Sequence, residues 1–259
     1  MAERWAPGTV LGFETAGTVV RRAADGSGPD VGSRVAGFAA AGGWAQRRAL
    51  DTTQLAIVPD AYDLATAAAL PVAGVTVLRA IRTLGSVLAR RILVTGAGGG
   101  VGRMAVQLAA LAGAHVVAVV STEARAKGLE AAGAHEIVVG DTPLPPFDHV
   151  LDNVGGEMLA RCYELLPADG TLVSIGAAGG AVTMLDFEQA RVRRAGRIQP
   201  FNVFSGGPLG SDIGTVLHLA ADGAIGAEIG WRGDWTRIAE AIDAFRQRKV
   251  VGKALLDIS

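Results

Sequence analysis

The sequence predicts an α/β fold in which a doubly wound parallel (Rossmann) domain interrupts a β-rich domain. Short, wholly apolar segments alternate with helical patterns through the middle of the chain. A glycine cluster separates the first of these strands from the helix after it, and both flanks change to short strands broken by glycine turns.

The strand at 92–94 is Ile-Leu-Val and ends in the glycine cluster. A helical pattern follows through Met104, Leu108 and Leu111 until Gly113 stops it. Residues 116–120 read as a second strand, 123–132 as a helix closed by Gly133, and 136–139 as a third strand. A strand at 147–151, a helix over 158–166 and a strand at 171–175 continue the alternation. Strands this apolar are buried on both faces, which makes the sheet parallel and covered by helices on each side. The Rossmann domain is expected over 75–210. In the flanks, strands are expected at 15–20, 34–38, 227–231 and 253–258, with turns at 26–28 and 42–43 and a helix over 235–246. Segments 1–74 and 211–259 together make the β-rich domain.

Composition narrows the functional classes. The chain has 259 residues, half of them hydrophobic, and 24 basic side chains nearly cancel 25 acidic ones. Such a chain has enough apolar material for a core and is not disordered. Its net charge of −1 gives no footprint for a nucleic-acid partner. No apolar run approaches the roughly 18 residues of a membrane span. The start, Met1 to Gly8, has no apolar stretch followed by a cleavage site, so no secretory signal is read there and the cytoplasm is the expected location. Cys162 is the single cysteine, which excludes an internal disulfide and a multi-cysteine zinc site.

The chemistry-bearing motif is Thr95-Gly96-Ala97-Gly98-Gly99-Gly100-Val101-Gly102. G-x-x-G-x-x-G fits it, through Gly96, Gly99 and Gly102, where strict G-x-G-x-x-G does not. Its place between strand and helix suits a turn that brings backbone amides and a helix N-terminus to a pyrophosphate. An Asp or Glu at the end of the second strand would hold the ribose 2′-hydroxyl of NAD. Ser121-Thr122 stands there instead, followed by Arg125 and Lys127. A hydroxyl and a cation suit a 2′-phosphate, so NADPH is the expected cofactor. The bland reading of the same residues is a solvated helix start.

These residues resemble the quinone oxidoreductase (zeta-crystallin-like) branch of the medium-chain dehydrogenase/reductase superfamily. The resemblance is carried by Leu11-Gly12-Phe13-Glu14-Thr15-Ala16-Gly17, Gly32-Ser33-Arg34-Val35 and Leu70-Pro71-Val72-Ala73-Gly74-Val75-Thr76. Asp152-Asn153-Val154-Gly155-Gly156, Ser174-Ile175-Gly176 and Val251-Gly252-Lys253-Ala254-Leu255-Leu256 complete it, in register along nearly the whole chain. It implies a partial GroES-like β-rich substrate domain around the Rossmann domain. It also implies contacts: Thr76 by the nicotinamide, Gly99, Gly100 and Val101 on the pyrophosphate, Ser121 and Arg125 on the 2′-phosphate. Val154, Gly176, Phe201 and Val203 would line the nicotinamide end, with Lys253 nearby. Plain core packing is the alternative for Val154, Phe201 and Val203, and loop capping for Asn153 and Asn202.

Zinc-dependent relatives carry a His where Phe13 stands, and His115, His135, His149 and His218 have no mutual ligand spacing, so no metal is expected. The activity implied is an NADPH-dependent reduction of a quinone or an α,β-unsaturated carbonyl, with a polyketide-like compound as a further substrate type. No residue is singled out as catalytic. A homodimer is the implied assembly. Two departures stand against the family pattern. The family begins further upstream, with strands that carry polar residues nearest the reacting carbon, and a Tyr that often holds the 2′-phosphate aligns with Gly140. The alternatives are therefore a non-redox cyclase or isomerase of secondary metabolism on the same scaffold, or a non-catalytic nucleotide-binding or truncated form.

Overall fold

The computed structural model describes residues 6–258; residues 1–5, the beginning of the segment read as no secretory signal, and residue 259 lie outside them. The chain divides into two compact units, one of residues up to Val75 together with Gly206 onward, the other Thr76–Ser205.

In chain order the first unit opens with β1 (Glu14–Thr18), β2 (Arg34–Phe38) and β3 (Leu55–Ile57), an antiparallel sheet with Glu14 opposite Phe38 and Val35 opposite Ile57. Helix α1 (Leu64–Ala67) is capped by Asp63, whose carboxylate accepts from the Thr66 amide at 2.7 Å. Helix α2 (Pro71–Leu84) starts with a proline, which loses nothing in the first turn, and the boundary between the units falls inside it.

The second unit continues with β4 (Arg91–Thr95), α3 (Gly100–Leu111), β5 (His115–Val120), α4 (Glu123–Ala126) and β6 (Glu136–Val139). Then come β7 (His149–Asp152), α5 (Gly156–Leu165), β8 (Thr171–Ser174), α6 (Phe187–Arg193) and β9 (Arg197–Pro200). Its six strands are all parallel, in the order β6-β5-β4-β7-β8-β9. The chain thus builds outward from β4 in one direction, returns beside it and builds outward in the other. The reversal lies between β4 and β7, and the loops at the carboxyl ends of those strands are where such a sheet binds ligands. Leu93, Val117, Val150 and Leu172 fill the strand centres, and Leu159, Cys162 and Tyr163 of α5 pack onto them.

The first unit then resumes with α7 (Gly210–Ala221), β10 (Ile229–Asp234), α8 (Ile238–Arg246) and β11 (Lys253–Asp257), where β10 and β11 pair in parallel. Helix α7 buries Ile213, Val216 and Leu217, and Gly74 on α2 leaves no room for a Cβ against Val216.

The apolar strands stand where their sequence predicts them; helices α1, α2 and α6 were not assigned, and other features differ. The helix expected over 123–132 ends at Ala126, because Lys127 turns to an extended conformation and Gly128 takes φ +79°. Leu129 is still fully buried, so its apolar spacing imitates a longer helix. Strand β9 has mostly exposed residues as the sheet edge, and β3 is three residues long. Helix α7 lies in a stretch the sequence left unassigned.

Candidate functional site

The glycine turn at the end of β4 is shaped by its own backbone. Gly96 takes φ +62°, the Ala97 amide donates to Val119 O at 3.0 Å, and the Gly99 amide donates to Gly96 O at 3.0 Å. A Cβ on Gly102 would fall on the Gly96 carbonyl oxygen and lie 2.7 Å from Ala97 Cα, so only glycine lets α3 start this close to the turn. Gly99 is the N-cap of α3 and makes no side-chain cap. Its own amide closes the turn. The amides of Gly100 and Val101 are therefore the two, of the three expected on a pyrophosphate, that lack an intrahelical acceptor by position. With the helix dipole behind them they suit an anion.

The end of β5 lies beside this turn. A Cβ on Gly98 would be 2.8 Å from Arg125 Cβ and 3.0 Å from Arg125 O, so the segment bearing Arg125 rests directly on the turn. Arg125 is half-buried, and Ser121, Thr122 and Lys127 are exposed. Ser121 follows β5 where a ribose-binding carboxylate would otherwise stand, and Arg125 comes four residues later. A cradle without Cβ atoms, a helix start without a side-chain cap and an adjacent cation fit a phosphorylated dinucleotide.

The end of β7 is held by a buried carboxylate. Asp152 Oδ1 accepts from Thr95 Oγ1 at 2.6 Å and from the Val154 amide at 3.3 Å, while Oδ2 accepts from the Gly155 amide at 3.0 Å. Burial pushes the Asp152 carboxyl up despite these donors. Asn153 Nδ2 donates to Thr95 O at 2.9 Å, and Asn202 Oδ1 accepts from the Phe204 amide at 3.0 Å. Both asparagines are thus tied into loops. Val154 abuts the glycine turn, its Cγ2 standing 3.2 Å from where a Gly96 Cβ would be. The amides of Ile175 and Gly176 both donate to Asp152 O, and the Phe201 amide donates to Ser174 O at 3.0 Å. Val154, Gly176, Phe201 and Val203 are half-buried.

Helix α2 reaches the same unit's last loop through Arg79, whose Nη1 donates to Val203 O at 2.7 Å. Buried Thr76 sits three residues earlier on the same helical face. The structure therefore gathers Gly99, Gly100, Val101, Ser121, Arg125, Val154 and Gly176 along one edge of one sheet, with Phe201 and Val203 in the loop after β9 and Thr76 tied to them through Arg79. Lys253 belongs to the other unit, where its ammonium pairs with the Glu14 carboxylate, which also accepts from the Val72 amide at 2.7 Å.

Among the described residues no group of three His, Cys, Asp or Glu side chains is placed to hold a metal ion. His149 Nδ1 accepts from the Thr171 amide at 3.0 Å, and His115 Nε2 pairs with Glu136 at 2.7 Å. No described helix is long and apolar enough to cross a membrane.

A family model described as zinc-binding dehydrogenase matches residues 132–256. A probable quinone oxidoreductase of Schizosaccharomyces pombe is 29% identical over 87% of this chain and 73% of its own length. A mycobacterial protein solved in complex with NADPH superposes with a TM-score of 0.88 at 25% identity, covering 98% of this chain and 84% of the other. These similarities support a quinone oxidoreductase-like protein of the medium-chain dehydrogenase/reductase superfamily. Polyketide synthase GfsB of Streptomyces halstedii is 31% identical over 96% of this chain, which spans 5% of that much longer protein.

Three side chains around this candidate site have no assigned role in the sequence: Asp152, which appears there only within the Asp152–Gly156 segment, Arg79 and Arg103. The available signal was a charged residue inside an apolar run, as Arg103 is within Val101-Gly102-Arg103-Met104-Ala105-Val106.

Proposed function

We propose that this chain binds NADPH and reduces a quinone or an α,β-unsaturated carbonyl without a zinc ion. The observation that carries the reading is a helix start at Gly100 without a side-chain cap, with Arg125 Cβ and O packed on its glycine turn and Ser121 following β5. Gly100 and Val101 would bind the pyrophosphate through their amides, with Gly99 shaping the turn. Ser121 and Arg125 would bind the 2′-phosphate, a charge-assisted contact that NADH cannot make. Thr76, Val154, Gly176, Phe201 and Val203 would orient the nicotinamide and exclude water from it. The nicotinamide, when bound, supplies the hydride. No described side chain is assigned as the proton donor, and solvent fills that role in this reading.

The NADPH-bound mycobacterial structure supports the cofactor, and the quinone oxidoreductase and polyketide synthase relatives support the substrate class. We further assign a cytoplasmic homodimer paired through an edge strand of the six-stranded sheet, β6 or β9. Sedimentation at several concentrations reads that assembly directly, and a monomer throughout would remove it. The activity is tested by following nicotinamide absorbance with a naphthoquinone or a short enone present. Loss of absorbance that requires both chain and acceptor is expected. Tight NADPH binding with no oxidation by either acceptor would leave a nucleotide-binding module and remove the reductase.

A further inference from the structure

We infer that Arg103, one turn inside α3, is a positioning residue that sets the preference for the 2′-phosphorylated nucleotide by fixing the segment that carries Arg125. The inference rests on the cofactor reading above and adds a residue to it.

Apart from Gln107, every other member of α3 is apolar or glycine, yet Arg103 lies among them with 6% of its surface exposed. Burying a guanidinium is costly unless its donors are used. Arg103 Nη2 donates to Lys127 O at 2.6 Å, the carbonyl of the residue that ends α4. Its Nη1 lies 3.5 Å from where a Cβ on Gly128 would stand, so the guanidinium sits close against the backbone of the next residue as well.

Helix α4 is four residues long, ends at Ala126 and is followed two residues later by Gly128 with φ +79°. A single helical turn has little cohesion of its own, because nucleation fixes several residues for few hydrogen bonds. The direction of the Arg125 side chain therefore depends on what holds the segment from outside. Two of these holds lie at its ends. Gly98 receives Arg125 Cβ and O at one end, and Arg103 grips the carbonyl of Lys127 at the other. The second is a charge-assisted hydrogen bond to a buried cation, stronger than a neutral one. The ligand chemistry concerned is a phosphate monoester on a ribose 2′-oxygen. A nucleotide without that phosphate makes no use of Arg125 and is indifferent to where it points.

Calorimetric titration of the full chain with NADPH and with NADH tests this in wild type, Arg103→Met, Arg103→Lys, Arg125→Ala and the Arg103→Met/Arg125→Ala pair. Arg103→Met should weaken NADPH about tenfold and NADH less than about twofold. Arg103→Lys, which keeps a cation but not the fork, should fall between. The double variant should bind NADPH no more weakly than Arg125→Ala alone, because Arg103 acts through Arg125. An equal loss for both nucleotides, or additive losses in the double variant, would overturn the inference. If Arg103→Met does not fold, the Arg103→Lys ratio of NADPH to NADH affinity decides by the same criterion. Selective loss in Arg125→Ala with no selective loss at Arg103 overturns this inference alone. No nucleotide binding by wild type overturns the cofactor reading, and this inference with it.

Discussion

Asp152→Ala removes the acceptor that joins the ends of β4 and β7 to the loop carrying Val154. The carboxylate is fully buried and takes hydrogen bonds from Thr95 Oγ1, the Val154 amide and the Gly155 amide at 2.6, 3.3 and 3.0 Å. Alanine leaves the two close donors buried without that partner, and each such loss costs about 1–3 kcal/mol, so about 3–4 kcal/mol is expected at neutral pH. The pH dependence has a definite sign. Burial raises the folded-state pKa above the reference value of 3.8. The stabilisation from Asp152 is therefore complete below 3.8 and declines as pH climbs through the raised folded value. Urea unfolding of wild type and variant at a series of pH values reads both quantities. The difference in stability should be greatest under acid conditions and shrink toward neutrality. A loss below about 1 kcal/mol, or a difference that grows with pH, would refute the account of this network.

Three further outcomes follow from the same structure. Gly102→Ala would press a methyl group onto the backbone of Gly96 and Ala97, which cannot swing aside as a side chain can. A destabilisation of about 1–3 kcal/mol in chemical denaturation is expected, and an unchanged midpoint would contradict it. The Cys162 thiol is pushed up to about 12, chiefly by burial, so the native protein should not react with a thiol reagent at mildly alkaline pH and should react once unfolded. Burial also holds His149 below its reference value of 6.5, so its effect on stability worsens as pH falls from 6.5 toward the lowered folded value. His149→Gln should flatten that part of the stability profile; an unaltered slope would remove His149 as its source.

Much of the sheet is legible in the sequence because β4, β5, β7 and β8 are buried on both faces and therefore uniformly apolar. The same logic hides β9. An edge strand of Arg-Ile-Gln-Pro, mostly exposed, carries no pattern that separates it from a loop. Helix α7 is obscured by Gly210 and Gly214, which sequence reasoning takes as breakers. Gly210 in fact brings the helix start against the backbone of Thr53 and Leu55. The glycine turn is legible because backbone geometry itself demands the residue type at Gly96 and Gly102. Arg103 and Arg79 are not, since each donates to a backbone carbonyl 24 or 124 positions away and any residue type supplies a carbonyl. For the same reason Asn153 and Asn202 stand in the sequence as open polar groups, and only the fold shows the loops that use them.

The central claim is that the glycine turn and Arg125 together form a site for a 2′-phosphorylated dinucleotide. Calorimetric titration of wild type and Arg125→Ala with NADPH and NADH tests it most directly. Micromolar NADPH binding that Arg125→Ala weakens selectively is expected, with NADH little changed. Equal affinity for the two nucleotides in wild type, or no binding of either, would contradict it.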